Sequence, residues 1–513
     1  MASASSRQIE ESYDDVTYRG AAVQSTHPSH LAMVARLCGL SPPSPKGCRV
    51  LELGCAVGSN LIPMAADLPN SRFVGIDLSA RQIEEGRAAI SEHRLVNIEL
   101  LHKSISDVGP DMGKFDYILC YGVYSWVPED VQKKILDIGR QNLADNGIMY
   151  VSYNTYPGWH LRGIVRDAMA YHVCKTDPPK QQILQARAML DLLENNARSS
   201  SKAYPQFLKD EAKNLKEKQD CYIYHEYLEE FNQPLYFHEF VERADQAGLR
   251  FLANSDIRSM VADHLNSPGP ELLKGMPLVR REQYKDFLEF RTFRSSLLCH
   301  RDIDSVFALS SSNFALSSGN VESLHASLVE RLQPEPLPTG EVKWNLAQGA
   351  MTTQAPLTGM IEQLHRQFPG WISVQDLLKD VYDDSTRASL LDAILSAIVP
   401  GIIRVSLEPI EFSQQVSAMP ECTRFCRRQA KAGNRITSRF HEDWELVPQQ
   451  CYLLEHLDGS RSVDDLALMF YNAIQNGRFP VSGEDPEFAF DLNDAKIFVR
   501  DELERFRLLG VLL

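Results

Sequence analysis

A segment of strand, turn, helix and strand near the start of the chain constrains its fold more than any other feature. The apolar run 50–53 predicts a buried strand, residues 54–58 a turn of small side chains, and residues 60–66 a helix. A second strand is predicted over 73–76 and is followed directly by Asp77. A small-residue turn that opens a helix, with an acid at the tip of the next strand, is typical of a βαβ unit that binds a nucleotide.

The spacing of the glycines separates the classes of nucleotide ligand. Gly54 and Gly58 leave the backbone unhindered, and Glu52 precedes the first of them. The third glycine of the dinucleotide-binding GxGxxG turn is missing, which disfavours a pyrophosphate. The pattern ELGCxxGxN instead resembles motif I of class I methyltransferases, whose cofactor S-adenosylmethionine has no phosphate. An NAD(P) site and a purely structural βαβ unit remain as alternatives.

The resemblance to motif I implies a set of cofactor-binding residues. Asp77 would accept hydrogen bonds from the ribose hydroxyls, and Glu52 would hold other polar groups. Ala56 stands where the motif usually has glycine, and alanine fits there if its φ angle is negative. The expected set is Tyr13, Glu52, Gly54, Cys55, Ala56, Gly58, Asp77, Leu78, Gln82, Ser104, Ile105 and Tyr121.

Strands and helices continue to alternate after Asp77, which predicts a Rossmann-like α/β core with a seven-stranded sheet. Further core elements are expected as helices over 78–91, 129–143 and 236–247 and as strands over 98–102, 115–120, 148–153 and 249–254. About seventy residues interrupt this core, with helices expected over 161–173, 181–197 and 206–218. Their apolar stripes suit a lid or a homodimer contact.

The C-terminal half has a different character. A helix with an aromatic stripe is predicted over 284–298, a proline-rich linker over 330–340, and two winged-helix-like units after it. The expected domains are a cofactor-binding core (1–160 and 220–258), a helical insertion (161–219), a helical regulatory domain (259–335) and a winged-helix-like C-terminal domain (345–513).

Two loops at the ligand-binding edge of the sheet supply the candidate acceptor residues. Both follow adjacent strands and carry aromatic and amide side chains, which would desolvate an amine and hold its cationic form. The expected residues are Tyr121, Trp126, Asn154, Tyr156 and Trp159. The Asn/Asp-Pro-Pro-Tyr motif of nucleobase methylation is absent after the fourth strand, where the sequence reads CYGV.

The composition and charge of the chain limit the classes of binding partner that we expect. The net charge of −15 disfavours nucleic-acid binding, although a basic run stands at Arg424, Arg427, Arg428, Lys431, Arg435 and Arg439. That run would contact phosphate or pair with acids near residues 484–494. No apolar segment predicts a signal peptide or membrane insertion, and the cysteines lack paired spacing, so we expect a cytoplasmic protein without a metal site.

The motifs taken together resemble a bacterial family. ELGCxxGxNLIPMA, VGIDLSxxQI, FDYI followed by GVYSWVP, and SYNTYPGWH are similar to class I methyltransferases with a "methyltransferase regulatory domain". That family includes lysine methyltransferases that act on outer-membrane proteins. The resemblance implies S-adenosylmethionine as cofactor and lysine side chains of a protein, such as an outer-membrane protein, as acceptors. A small-molecule N- or O-methyltransferase and a cofactor-sensing interaction protein remain as alternatives.

Overall fold

A seven-stranded sheet lies at the centre of the computed structural model, which describes residues 16, 20–260, 269–303, 318–347, 349–479 and 490–513. Its strands are β1 (Arg49–Leu53), β2 (Arg72–Asp77), β3 (Ile98–His102), β4 (Phe115–Cys120), β5 (Leu143–Asn154), β6 (Leu249–Asn254) and β7 (Phe293–His300). They lie in the order β3-β2-β1-β4-β5-β7-β6, with β7 antiparallel to both neighbours. The chain order reverses between β1 and β4, and open α/β sheets bind ligands beyond the strand ends at such a point. The predicted α/β core is confirmed.

Four helices flank the first five strands, and the second, third and fourth lie close to the positions predicted over 60–66, 78–91 and 129–143. They are α1 (Pro28–Leu37), α2 (Leu61–Asp67), α3 (Ala80–His93) and α4 (Glu129–Asn142). Helix α3 begins after Ser79 because the Ser79 hydroxyl accepts a hydrogen bond from the Gln82 amide at 3.1 Å. Within the described residues, no helix combines the length and the apolar character needed to span a bilayer.

The predicted insertion forms a small bundle with an apolar core of its own. Its helices are α5 (Gly158–His172), α6 (Pro179–Asn196), α7 (Ala203–Lys216) and α8 (Asp220–Tyr227). Helix α8 contributes Ile223 and Tyr227 to the bundle core, so the insertion extends beyond its expected end at 219. Tyr171, Leu184 and Leu192 are exposed on the bundle surface. The homodimer contact through 161–219 stays a prediction.

The segment 284–298 is not one helix, and that prediction is wrong. Helices α9 (Phe237–Gln246) and α10 (Gly269–Leu273) precede this segment. Helix α11 (Leu278–Glu289) covers its first part, and strand β7 begins at Phe293. This strand lies between β5 and β6 in the core sheet. The expected seven-stranded sheet is present, but the predicted elements placed only six of its strands, and the seventh, β7, lies in the segment that was assigned to a separate domain over 259–335.

A buried cluster of charges anchors β7. The Arg294 guanidinium donates to both carboxylate oxygens of Asp286, with its shortest contact at 2.7 Å, and to the side-chain oxygen of Asn254 at 2.8 Å. It also lies 3.9 Å from the centre of the Phe237 ring and 3.4 Å from a carboxylate oxygen of Glu282. The side chains of Arg294, Asp286 and Glu282 are fully buried. The cluster thus joins β7, β6, α9 and α11.

The predicted linker over 330–340 is also wrong, because part of it is a strand. The next elements are α12 (Ser318–Val321), β8 (His325–Leu328), β9 (Gln333–Pro336), β10 (Val342–Leu346), β11 (Gly349–Thr353), α13 (Leu357–Gln367), β12 (Ile372–Ser373), α14 (Val374–Leu377), α15 (Asp384–Ile398) and β13 (Ile403–Ser406). Strand β9 forms the edge of a three-stranded sheet, where its prolines are tolerated. Strands β12, β8 and β13 form the small sheet of the first winged-helix-like unit.

A second winged-helix-like unit completes the chain and has its own apolar core. It consists of α16 (Arg424–Ala432), β14 (Arg435–Thr437), β15 (Asp443–Glu445), α17 (Pro448–Glu455), α18 (Val463–Gln475) and α19 (Leu492–Leu508). Two arginines of the basic run face acids of the core domain. Arg439 lies 3.6 Å from Asp67, and Arg428 lies 4.0 Å from Glu92. These basic side chains thus help to attach the C-terminal unit to α2 and α3.

Candidate active site

A cavity of about 240 Å³ lies beyond the carboxyl ends of β1 to β4. The structure brings most of the predicted cofactor-binding residues to its wall. Those that line it are Glu52, Gly54, Cys55, Ala56, Asp77, Leu78, Gln82, Ser104, Ile105 and Tyr121. The predicted acceptor residue Trp126 also lines it. Residues far apart in the sequence thus form one site.

The turn after β1 is tight and uses unusual backbone angles. Gly54 has φ of +76°, and a side chain there would meet Val123 at 2.5 Å. Ala56 has φ of +51°, so the condition under which alanine would fit this turn without strain, a negative φ, is not met. A left-handed alanine costs about 1–2 kcal/mol. The Asp77 carboxylate helps to hold this conformation, because it accepts a hydrogen bond from the Ala56 amide at 2.8 Å.

Asp77 connects the turn to the start of α3. One carboxylate oxygen accepts from the Ala56 amide, and the other accepts from the Ser79 amide at 2.9 Å. The acid at the tip of β2 therefore fixes two backbone segments that border the cavity. Its place on the cavity wall agrees with the predicted ribose contact, which stays a prediction.

Glu52 is a buried carboxyl group on the cavity wall. Its Oε1 accepts a hydrogen bond from the Asn60 side chain at 2.8 Å. Its Oε2 has no hydrogen-bond partner within the part of the chain that the structure describes. Burial raises the pKa of Glu52 to about 8, and the nearby Asp77 adds to the increase while Asn60 opposes it. Glu52 is therefore suited to meet a cation, which would restore its missing interaction.

Asn60 joins this carboxyl group to two distant parts of the chain. Its Oδ1 accepts a hydrogen bond from the Val23 amide at 3.0 Å, and the Nε2 of His441 lies 2.9 Å from the same oxygen. His441 belongs to the turn between β14 and β15, and its pKa is lowered well below the usual value by burial. The C-terminal unit thus contacts the cofactor side of the cavity through the side-chain amide of Asn60.

The segment that precedes α1 covers part of the cavity. Gly20 and Ala21 line it, and the amide of Ala22 donates to the Asp443 carboxylate at 3.1 Å. The C-terminal unit therefore holds this covering segment in place. Tyr13, which we predicted to bind cofactor, lies outside the described residues.

The other end of the cavity is aromatic and acidic. Tyr121, Trp126 and Phe293 line it, together with Glu226 from α8. The pKa of Tyr121 is raised above its usual value, mainly by burial and secondarily by the charge of Glu226. This end combines an apolar wall with a carboxyl group.

Four predicted residues lie away from the cavity wall. Gly58 has φ of +77° and faces Leu100 and Ile62. Asn154 is buried and donates to Asn232, Tyr156 stacks on His160 at a ring distance of 4.0 Å, and Trp159 lies edge-on behind Trp126 at 6.2 Å. The structure therefore gives Gly58 a place in the turn and Trp159 a place behind the wall. The catalytic roles of Asn154, Tyr156 and Trp159 stay predictions.

The sequence-based list missed several residues of the wall. Asn60 is the last residue of the ELGCxxGxN pattern, so a signal for it was present. Phe293 and Glu226 had no local signal, because the first was assigned to a helix and the second to a part of the core domain without a predicted helix or strand. Only tertiary packing brings these two residues to the cavity.

The donor set of the cavity fits S-adenosylmethionine. This cofactor has two cationic centres, a sulfonium and an ammonium group, and a ribose diol. Glu52 has a buried oxygen without a partner in the described residues, and Asp77 stands at the tip of the neighbouring strand. The fold and this cavity define a class I methyltransferase that uses S-adenosylmethionine.

Comparisons with known proteins agree with this class. The matching family models are "Methyltransferase domain" over residues 51–149, "Predicted methyltransferase regulatory domain" over 219–300, and "PKMT, C-terminal winged helix domain" over 418–506. The regulatory-domain match ends at the last residue of β7, so it includes the strand that our sequence analysis missed.

Two similar proteins and one similar solved structure come from Rickettsia. An uncharacterized protein of Rickettsia prowazekii is 42% identical over 292 residues, which are 57% of this chain and 53% of that protein. A second one is 39% identical over 241 residues, which are 47% of this chain and 96% of that protein. The solved structure of PKMT2 from Rickettsia typhi in complex with AdoHcy is 29% identical, has a TM-score of 0.83, and covers 96% of this chain and 99% of its own. The chain belongs to the bacterial class I methyltransferases that carry a methyltransferase regulatory domain.

The Glu52 carboxyl group gives a prediction about protons. Because its pKa is about 8, it is mainly protonated at pH 7, and a bound cation would favour the ionised form. We expect roughly one proton to be released per S-adenosylmethionine bound at pH 7, falling to zero well above pH 8. Calorimetry in buffers of different ionisation enthalpy measures this release.

The matched variants for this prediction are Glu52→Gln and Glu84→Gln. The first removes the titrating group and should abolish the proton release. Glu84 lies on the exposed face of α3, so its variant should behave as the original protein. A binding enthalpy that is the same in all buffers would contradict the assignment of Glu52 as a contact of the cofactor.

Proposed function

We propose that the protein transfers the methyl group of S-adenosylmethionine to lysine side chains of protein substrates. The observation that carries the proposal is the likeness to PKMT2 over nearly the whole chain, together with the match of the C-terminal unit to a PKMT winged-helix model. PKMT stands for protein lysine methyltransferase. The aromatic and acidic end of the cavity supports the proposal, because a cationic amine suits such surroundings.

The residues of the chain would act mainly by positioning. When bound, S-adenosylmethionine supplies an electrophilic methyl group on a positively charged sulfur. Glu52, Gly54 and Asp77 would hold the cofactor at the end of the cavity opposite to Glu226 and the aromatic residues. Tyr121 and Trp126 would orient the amine and exclude water from it. Positioning of this kind accounts for a large part of the acceleration of bimolecular reactions.

The acceptor amine must lose a proton before it can react. A lysine side chain has an unperturbed pKa of about 10.4. Transfer from water into an aromatic site lowers that pKa, because burial disfavours the charged form. Tyr121 and Trp126 would therefore serve both to hold the side chain and to favour its neutral form.

The finer partner assignments belong to the same proposal. We propose that outer-membrane proteins are among the substrates, that transfer takes place in the cytoplasm, and that nucleic acid is not a partner. The net charge of −15 supports the last point. The C-terminal unit, which seats on the core through Arg439 and Asp67, would contribute to the grip on a protein substrate.

Labelled transfer tests the proposal. The protein is incubated with S-adenosylmethionine that carries a deuterated methyl group and with a bacterial outer-membrane protein extract. Mass spectrometry of the digested extract should then find the label on lysine side chains. The Gly54→Val variant is the inactive control, because its side chain would collide with Val123.

Three other outcomes would contradict the proposal. Label only on small molecules in a whole-cell lysate would favour a small-molecule methyltransferase. Label on protein residues other than lysine would overturn the choice of acceptor. Binding of the cofactor without transfer to any acceptor would favour an interaction protein that senses S-adenosylmethionine.

A further inference from the structure

Glu226 places an acidic group at the acceptor end of the cavity. It lies on α8, one residue before the end of that helix, and thus comes from the insertion rather than from the sheet. It lines the cavity together with Tyr121 and Trp126, which follow β4. The insertion therefore supplies a chemical group to the site.

The neighbours of Glu226 leave its carboxyl group available to the cavity. Within the described residues, no hydrogen bond or ion pair within 4.0 Å engages it. The charge of Arg162 on α5 lowers the pKa of Glu226, but the Arg162 guanidinium is paired with Glu211 at 3.3 Å. The adjacent His225 is engaged through its Nδ1, which lies 2.7 Å from the Glu229 carboxylate.

The charge balance of this end favours a cationic ligand. Burial raises the pKa of Glu226 to about 7, and Arg162 opposes the increase. The neighbouring phenols of Tyr121 and Tyr222 have raised pKa values, for which burial is the main cause and Glu226 the next. His225 is the other residue of α8 that lines the cavity. A cation that enters between Glu226 and the aromatic wall would stabilise the ionised carboxylate.

We propose that Glu226 is the residue that binds the cationic amine of the acceptor and receives its proton. The inference rests on the proposed function and names the group that selects a lysine side chain. A carboxylate in a partly apolar site attracts an ammonium ion strongly, whereas it gains little from a neutral alcohol. The site would thus prefer amines to hydroxyl groups of the same length.

The proton balance of this step is simple. The ammonium group and the Glu226 carboxylate become a neutral amine and a carboxylic acid, as one proton moves from nitrogen to oxygen. The neutral amine then has the lone pair that methyl transfer requires. Glu226 releases the proton to solvent afterwards and returns to its ionised form.

Binding of a minimal amine tests the inference without turnover. The probe is n-butylammonium, which carries the end of a lysine side chain, and n-butanol is the neutral comparison. Ligand-observed NMR should detect n-butylammonium binding at pH 8 and at least a tenfold weaker affinity in Glu226→Gln. In the original protein the affinity should fall as the pH is lowered through about 7. In Glu226→Gln this step near pH 7 should be lost, because Glu52, the other buried carboxyl group of the cavity wall, has its pKa raised to about 8.

Further variants separate an amine-binding role from a structural one. Glu226→Asp should recover part of the binding, and Glu230→Gln, an exposed glutamate four residues later, should leave it unchanged. Affinity for S-adenosylmethionine, measured by calorimetry, should stay within about twofold in Glu226→Gln. Lysine labelling of the outer-membrane extract should fall at least tenfold in the same variant.

Each contrary result has its own meaning. Equal binding of n-butylammonium and n-butanol would overturn the inference, as would unchanged lysine labelling in Glu226→Gln. A large loss of cofactor affinity with unchanged amine binding would make Glu226 a cofactor ligand instead. Absence of lysine labelling by the original protein would contradict the proposed function, and the n-butylammonium titration would still decide whether Glu226 binds a cation.

Discussion

Replacing Asp77 by alanine is expected to weaken S-adenosylmethionine binding about 100-fold, because two hydrogen bonds from ribose hydroxyls to a carboxylate contribute about 3 kcal/mol together. The variant also removes the acceptor of the Ala56 and Ser79 amides. The strained turn around Ala56 would then lose a contact that holds it. Calorimetric titration of the purified variant with S-adenosylmethionine measures the effect.

The matched control for this prediction is Asp107→Ala. Asp107 is an exposed acid in the segment that follows β3, and it is not part of the cavity wall. Its variant should bind the cofactor with unchanged affinity. Unchanged affinity in Asp77→Ala, with a normal circular-dichroism spectrum, would remove the ribose assignment.

Replacing Arg294 by methionine is expected to lower the free energy of unfolding of the core by about 3 kcal/mol. Loss of one partner from a buried ion pair costs about 3–5 kcal/mol, since the remaining charge is left in an apolar interior. Asp286 would keep Arg291 at 3.3 Å, and Glu282 would keep Lys285 at 3.3 Å, so the lower figure applies. Urea unfolding followed by circular dichroism measures the change.

Hydrogen exchange and a surface variant make this prediction specific. Mass spectrometry should show faster amide exchange in peptides that cover β6 and β7. Arg301→Met is the control, because Arg301 pairs with Asp245 at 3.4 Å while both side chains are more than half exposed. Exposed pairs contribute about 0–1 kcal/mol. Equal stability of the two variants would contradict an anchoring role for Arg294.

Local sequence patterns were sufficient for the first half of the core. The strands over 98–102 and 115–120 have the predicted bounds, since short apolar runs between turn residues have few other structures to adopt. The cofactor side of the cavity was predictable for a related reason. Gly54 and Asp77 belong to one continuous βαβ unit, whose geometry fixes their separation.

Strand β7 shows where local patterns fail. The segment 284–298 contains a helix and the start of a strand, and its aromatic residues suggested a single helical stripe. The strand in this segment depends on backbone pairing with β5 on one side and with β6 on the other. It also depends on the contacts of Arg294 with α11 and β6. Backbone pairing with strands distant in the sequence cannot be inferred from a periodicity within one segment.

The sequence by itself determined the class of fold, the cofactor and the residues of the turn that would hold it, because these depend on contacts between neighbours in the chain. Only the tertiary structure decided that Glu226 of the insertion and Phe293 of β7 line the aromatic and acidic end of the cavity. It alone also connected His441 of the C-terminal unit to Asn60. Contacts across 381 positions of sequence arise from packing of whole domains, which leaves no periodic signal in either segment.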